Sequence, residues 1–211
     1  MERHHAAERH LYPELLQVFK QITEDHPGVI IGAVTDGRAN PMFMTFTLAP
    51  YFDFCMSWED DQGNRQEFFK QLGQVEGNVE LKWIYDAALE KYCELDEAQQ
   101  VMKNKKEAST GRVTPSKEKV WIHVGDDLAY DVGGAALSGA KTIYCELADQ
   151  YNQTARHRFD DIPNQPVWST TMASELQARK VMNEAAVDFI DARVNFLTRL
   201  PEAIEEILEQ E

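Results

Sequence analysis

The chain has 211 residues, and its 21 Lys and Arg face 36 Asp and Glu, a net charge of −15. Hydrophobic residues at 43% and aromatics at 10% exclude a disordered chain, and the length is enough to bury a core without disulfide or metal staples. The acidity argues against a nucleic-acid partner and against docking on an anionic membrane, because both need clustered Lys and Arg.

Leu11, Leu15, Val18, Phe19 and Ile22 recur at helical spacing and predict a first helix over residues 10–24, stopped by His26-Pro27-Gly28. Val29-Ile30-Ile31-Gly32-Ala33-Val34 is an apolar run without alternation, the pattern of a parallel strand buried on both faces. It ends in the polar turn Thr35-Asp36-Gly37-Arg38-Ala39-Asn40-Pro41. Phe43 to Leu48 is expected to begin a connecting helix, and Tyr51 to Met56 a second, shorter strand. Residues 59–77 read as loop with a helical piece around Phe68-Phe69.

Leu81, Ile84, Tyr85, Ala88, Leu89 and Tyr92 form the clearest helical stripe in the chain, with Asn78 where an N-cap belongs. Residues 94–119 are charged and weakly periodic, and read as a partly helical insertion. Val120-Trp121-Ile122-His123-Val124 is a third buried strand running into Gly125-Asp126-Asp127. A small-residue helix from Val132 to Leu137 ends at Ser138-Gly139, and Lys141 to Cys145 forms a fourth strand.

Residues 146–166 are expected to be irregular surface, Ser169 to Ala186 helical, and Ala192, Val194 and Phe196 an alternating short strand. Pro201 suits the first residue of a last helix, with Ala203, Ile204, Ile207 and Leu208 on one face and Glu202, Glu205, Glu206, Glu209 and Glu211 solvated. Strands alternating with helices make the chain α/β with a mostly parallel sheet. It is expected to be one domain over residues 1–211, with insertions or loops at 94–119 and 146–190.

No apolar stretch approaches the roughly 20 residues that span a bilayer. The polar start, Met1 to His10, does not read as a signal peptide. Cys55, Cys93 and Cys145 are far apart and lack metal-site spacing, so buried thiols in a reducing, cytoplasmic compartment are expected.

Two strand ends can carry chemistry, since ligands of open parallel sheets bind at the carboxyl ends of strands. At Thr35-Asp36-Gly37 a hydroxyl and backbone amides can meet a phosphate oxygen, although a plain turn closing a strand has the same composition. At Gly125 to Asp131, the carboxylates of Asp126, Asp127 and Asp131 repel one another unless a cation or a positive group lies among them. Hard oxygen donors suit Mg²⁺, which keeps several waters and takes one or two carboxylates. The bland alternative for Asp131 is capping of the helix it enters. Tyr151 to Trp168, with Arg156, His157 and Arg158, is a surface loop that could meet an anionic substrate; His4, His5 and His10 read as an exposed polar terminus.

The run Trp121 to Asp127, then Asp131, Gly134-Ala135 and Gly139-Ala140-Lys141-Thr142, resembles the fourth motif of the haloacid-dehalogenase-like (HAD) hydrolase superfamily. Leu11 to Leu15 and Thr35-Asp36-Gly37 are similar to that family's helix and second motif. Tyr51-Phe52-Asp53, Ile84 to Leu89 and Leu200 to Ala203 resemble its further elements in the same order. The resemblance implies a Rossmann-like parallel sheet flanked by helices. It also implies Mg²⁺-dependent phosphatase chemistry, through an aspartyl-phosphate, on a small phosphorylated metabolite. By it Thr35, Asp36 and Gly37 would bind phosphate, Asp126 would hold the metal directly, and Asp127 or Asp131 would support it through water.

The departures are equally definite. The family's nucleophile strand, followed by Asp-x-Asp-Gly-Thr, occurs nowhere in residues 1–211; Asp36 cannot stand in because Val34 lies two before it, and neither Asp60-Asp61 nor Asp160-Asp161 follows a suitable strand. The motif-three lysine would fall near Val79, so Lys82 is displaced by about one turn, and Lys117 is another candidate. The expectation is an N-terminally incomplete HAD-like core lacking its first strand and cap, inactive by itself, with neighbouring backbone groups left unpaired. The alternative is a non-catalytic binding or regulatory module of the same fold. A receiver or flavodoxin-like domain would need a phosphoacceptor Asp after a central strand.

Overall fold

A computed structural model describes residues 6–35, 40–57, 79–110, 119–147, 149–151, 159–165 and 171–210, with the side chains of 79–83 and 102–110 excepted. The chain divides into two compact units, Met1–Lys119 and Val120–Glu211. Both are mixed α/β with parallel strands flanked by helices.

In the first unit α1 (Leu15–Asp25) buries Val18 and Ile22, the centre of the expected stripe. Phe19 stacks on Tyr51 at 5.5 Å and meets Phe52 edge-on at 5.2 Å. Gly28 turns the chain after α1 with φ +89°, a conformation that side chains resist. β1 (Gly32–Thr35) and β2 (Phe54–Ser57) pair in parallel, Gly32 opposite Phe54 and Thr35 opposite Ser57. The Phe54 ring covers Gly32 so closely that a Cβ there would stand 2.1 Å from it.

Two expectations change in this unit. β1 is shorter than the apolar run and not enclosed: Gly32 is exposed and the other three residues are half-buried. Among the described residues it pairs with β2 alone, and a two-stranded ribbon cannot bury a strand as a wide sheet does. No α-helix starts at Phe43. The segment instead makes 3₁₀ turns at Pro41–Phe43 and Ala49–Tyr51, each with a proline near its start. Proline suits the first turn of a helix and removes a donor further in, so each turn stays short. The Asn40 side chain caps the first by accepting from Met42 N at 2.9 Å.

α2 (Val79–Thr110) packs on both strands and buries Tyr85 and Ala88. Of residues 94–119, expected to be a partly helical insertion, residues 94–110 continue this helix, and 111–118 lie outside the described residues. Their Glu, Gln, Lys, Ala and Met content favours helix, and the Lys91–Glu94 pair at 2.7 Å adds local support.

In the second unit β3 (Ile122–Gly125), β4 (Lys141–Cys145) and β5 (Ala192–Val194) form one parallel sheet with β4 in the middle. β3 leads through a π-helical segment, Leu128–Gly134, into the short α3 (Ala135–Leu137). β4 is the core: Thr142 and Ile143 are fully buried, and Tyr144 packs with Val132 and Ala186. β3 is half-buried throughout, not enclosed as expected, and pairs only with β4 among the described residues.

α4 (Ala173–Ala186) buries Leu176 and Ala186. α5 (Leu200–Leu208) starts one residue before Pro201 and buries Leu200, Ala203 and Ile207, leaving Glu202, Glu205 and Glu206 exposed as expected. Among the described residues no helix is long and apolar enough to cross a membrane.

An aspartate opens a parallel ladder in both units. Asp53, just before β2, accepts from Ile31 N at 2.8 Å and returns its own N–H to Ile31 O at 2.8 Å. Asp191, just before β5, accepts from Thr142 N at 2.8 Å and donates to Thr142 O at 3.1 Å.

Candidate functional site: the acidic turn after β3

The turn is built from its backbone outward. Asp127 is the N-cap of the π-helical segment: its side chain accepts from Tyr130 N at 2.9 Å. Its carbonyl accepts from Asp131 N at 2.8 Å, the α-helical spacing, and from Val132 N at 3.2 Å, the π spacing. Asp131 answers in kind, its Oδ2 accepting from Asp127 N at 2.9 Å. Asp131 therefore caps Asp127 N–H across one turn while Asp127 caps Tyr130 N–H, and the capping alternative for Asp131 is realised. His123 of β3 brings Nε2 within 3.5 Å of Asp131 Oδ1.

The positive group sought among these carboxylates comes from α4. The Arg179 guanidinium is ion-paired with Asp127, and its Cζ lies over the Tyr130 ring, 3.8 Å from the ring centre. One helical turn further on, Asn183 accepts from Ala129 N at 3.1 Å. Both partners are largely covered, with side-chain exposures of 21% for Arg179 and 27% for Asp127. Asp126, by contrast, is exposed at the carboxyl end of β3.

The turn's negative charge reaches the core. The Cys145 thiol, at the end of β4, is pushed up to about 12 by burial first and then by Asp126 and Asp131.

The residues expected to carry chemistry are thus distributed. Asp126, Asp127 and Asp131 share one turn, but among the described residues no group of three or more His, Cys, Asp or Glu is set to hold a metal ion. That donor set fits only the sparse kind of Mg²⁺ site, in which one or two carboxylates serve and waters complete the shell. Thr35 closes β1 and is half-buried. Lys82 lies in the first turns of α2, with its side chain outside the described part. Asp36, Gly37, Lys117, the pair Asp60-Asp61, His4, His5 and Arg156 to Arg158 lie outside the described residues. Asp161 serves locally, its carboxylate accepting from the Asn164 amide at 3.1 Å.

No protein-family model, curated protein or solved structure matches this chain.

Sequence reasoning missed Arg179, Asn183 and His123. Arg179 stands 52 residues from Asp127, and its only signal is a four-residue spacing to Asn183 that puts both on one helix face.

Proposed function

We propose that this chain is a HAD-like hydrolase core of the Mg²⁺-dependent phosphatase type, directed at a small phosphorylated metabolite. The observation that carries the reading is the turn Gly125-Asp126-Asp127 at the carboxyl end of a parallel strand, locked by Asp131, with Gly134 and Ala135 buried behind it. In such a site Asp126 would hold Mg²⁺; when bound, the metal would stabilise charge on the phosphoryl oxygens. The chain's own contribution is positional, since the caps made by Asp131 and Asp127 hold the turn that follows Asp126.

Residues 1–211 contain no Asp-x-Asp-Gly-Thr nucleophile, so no aspartyl-phosphate can form on them. The chain alone should therefore not turn over p-nitrophenyl phosphate with Mg²⁺, and turnover that depends on Asp126 would refute that part. The metal part is tested by thermal melting. Mg²⁺ should raise the melting temperature of the wild type but not of Asp126→Asn, and an equal response in both overturns the role of Asp126.

A second reading, a non-catalytic module of the same fold in a reducing cytoplasmic compartment, draws support from the Asp127–Arg179 pair, which already neutralises part of the turn. No Mg²⁺ response in either protein would favour it.

A further inference from the structure

At the amino end of β4, the far end of the sheet from the acidic turn, the second unit carries a groove of about 290 Å³. That volume is at the small end of the range for ligand sites. One wall is the turn from α3 into β4, with Ala136, Gly139 and Ala140; the other is the segment from Asp188 to Asp191 ahead of β5.

Hydrogen bonds fix both walls. Gly139, at φ +90°, closes α3 with its N–H on Ala136 O at 2.9 Å, and Ala140 N–H reaches Ala135 O at 3.1 Å. Across the groove, fully buried Thr142 holds the second wall from within. Its hydroxyl donates to Phe189 O, its N–H donates to the Asp191 carboxylate, and its carbonyl accepts from Asp191 N. Walls already held in place lose little freedom when a ligand arrives.

The surface between them is apolar and anionic together. Phe189 is 48% exposed, an aromatic ring that folding leaves in water, and Ile190, Ala136 and Ala140 continue the apolar lining. Lys141 and Asp191 face each other at 3.8 Å and offset one another in charge. Asp188 is exposed beside Phe189, and its carboxylate makes no hydrogen bond or ion pair among the described residues. An unmatched carboxylate next to an open aromatic ring recognises an organic cation, through charge and through the negative face of the ring.

We propose that this groove binds a small organic cation, an ammonium group on an aromatic or alkyl body of roughly ten non-hydrogen atoms, about the number of waters such a volume holds. The ammonium pairs with Asp188 and the apolar body lies against Phe189 and Ile190. An anion of the same shape meets Asp188 and Asp191 and is rejected. The site shares no residue with the acidic turn, so it stands or falls apart from the phosphatase reading.

The test titrates phenethylammonium into the full chain at about 0.15 M salt, which screens diffuse attraction to the acidic surface. In ¹H–¹⁵N NMR spectra the signals of residues 136–141 and 188–191 should shift and saturate, with an affinity on the order of millimolar for so few atoms, while those of Asp126 and Asp131 stay fixed. Phenethyl alcohol, which keeps the body and loses the charge, should bind on the order of fivefold more weakly. Asp188→Asn should abolish that preference and leave alcohol binding within about twofold, whereas Phe189→Ala should weaken both ligands. Equal binding of amine and alcohol by the wild type, or a preference that survives Asp188→Asn, overturns cation recognition. Shifts at Glu202, Glu205 and Glu206 as large as those in the groove, or no saturable shift, overturn the site itself.

Discussion

The carboxylate of Asp131 lies across Gly125: a Cβ added at residue 125 would stand 2.2 Å from it. This contact and the bond from Asp127 N to Asp131 Oδ2 at 2.9 Å are two sides of one arrangement. Asp131 can cap the strand-to-helix turn only because β3 ends on a residue without a side chain.

Gly125→Ala should accordingly destabilise the second unit by about 1–3 kcal/mol, the usual cost of forcing atoms into a packed place. The obstacle is the Asp131 side chain, so Asp131→Ala should cost about 1 kcal/mol alone through the lost hydrogen bond. Combined, the two should cost somewhat less than their sum, because the second removes the carboxylate atoms the first collides with and leaves only the Asp131 Cβ at 2.4 Å. Urea unfolding of the four proteins measures this, and strict additivity would show that the Asp131 carboxylate carries none of the strain.

Cys145 makes stability depend on alkaline pH. Its thiol is raised in the folded chain from an ordinary value near 9.0 to about 12, by burial and then by the charges of Asp126 and Asp131. An acid with a raised folded pKa binds more protons folded than unfolded between those values, so its contribution is full below about pH 9 and falls as pH climbs towards 12. Cys145→Ala should flatten the decline in unfolding free energy measured between pH 8.5 and 10.5 (about the lower half of that window). An unchanged slope in the variant would place the alkaline loss elsewhere. In the native state a thiol reagent should modify the exposed Cys93 and spare Cys145.

The aspartates that open the ladders differ in what they protect. Asp191 accepts from the N–H of fully buried Thr142, whereas Asp53 accepts from the N–H of half-buried Ile31, which water can reach once the carboxylate is gone. Asp191→Ala should cost about 1–3 kcal/mol, the penalty of a buried unsatisfied donor, and Asp53→Ala about 0.5–1.5 kcal/mol. Asp191→Asn keeps an acceptor and should recover part of the loss. Chemical denaturation orders the three, and an Asp53 variant at least as damaging as the Asp191 variant would contradict the burial argument.

Much of this fold can be read from local pattern. Lys141 to Cys145 is a strand with the expected ends, and the last helix exposes Glu202, Glu205 and Glu206 as its spacing requires. Periodicity encodes such faces because side-chain direction along a helix or strand is fixed by backbone geometry. Pattern failed where propensity and context compete. Weak period left residues 94–110 only partly helical in expectation, and their strong helix formers continue α2 through them; Pro41 and Pro50 cut the segment after β1, expected to be a helix, into short turns.

The excess of acid first served only to exclude nucleic acid and anionic membrane as partners. The sequence by itself placed three of those carboxylates on one turn after a parallel strand, and required that positive charge meet them. Only tertiary structure decided that the charge comes from Arg179, 52 residues along the chain, and that Asp127 and Asp131 spend carboxylate oxygens on the N–H groups of Tyr130 and Asp127. The reason is physical: like charges crowded within one turn are legible from spacing. Which distant side chain relieves them depends on how α4 packs on the π-helical segment, and no local period records that.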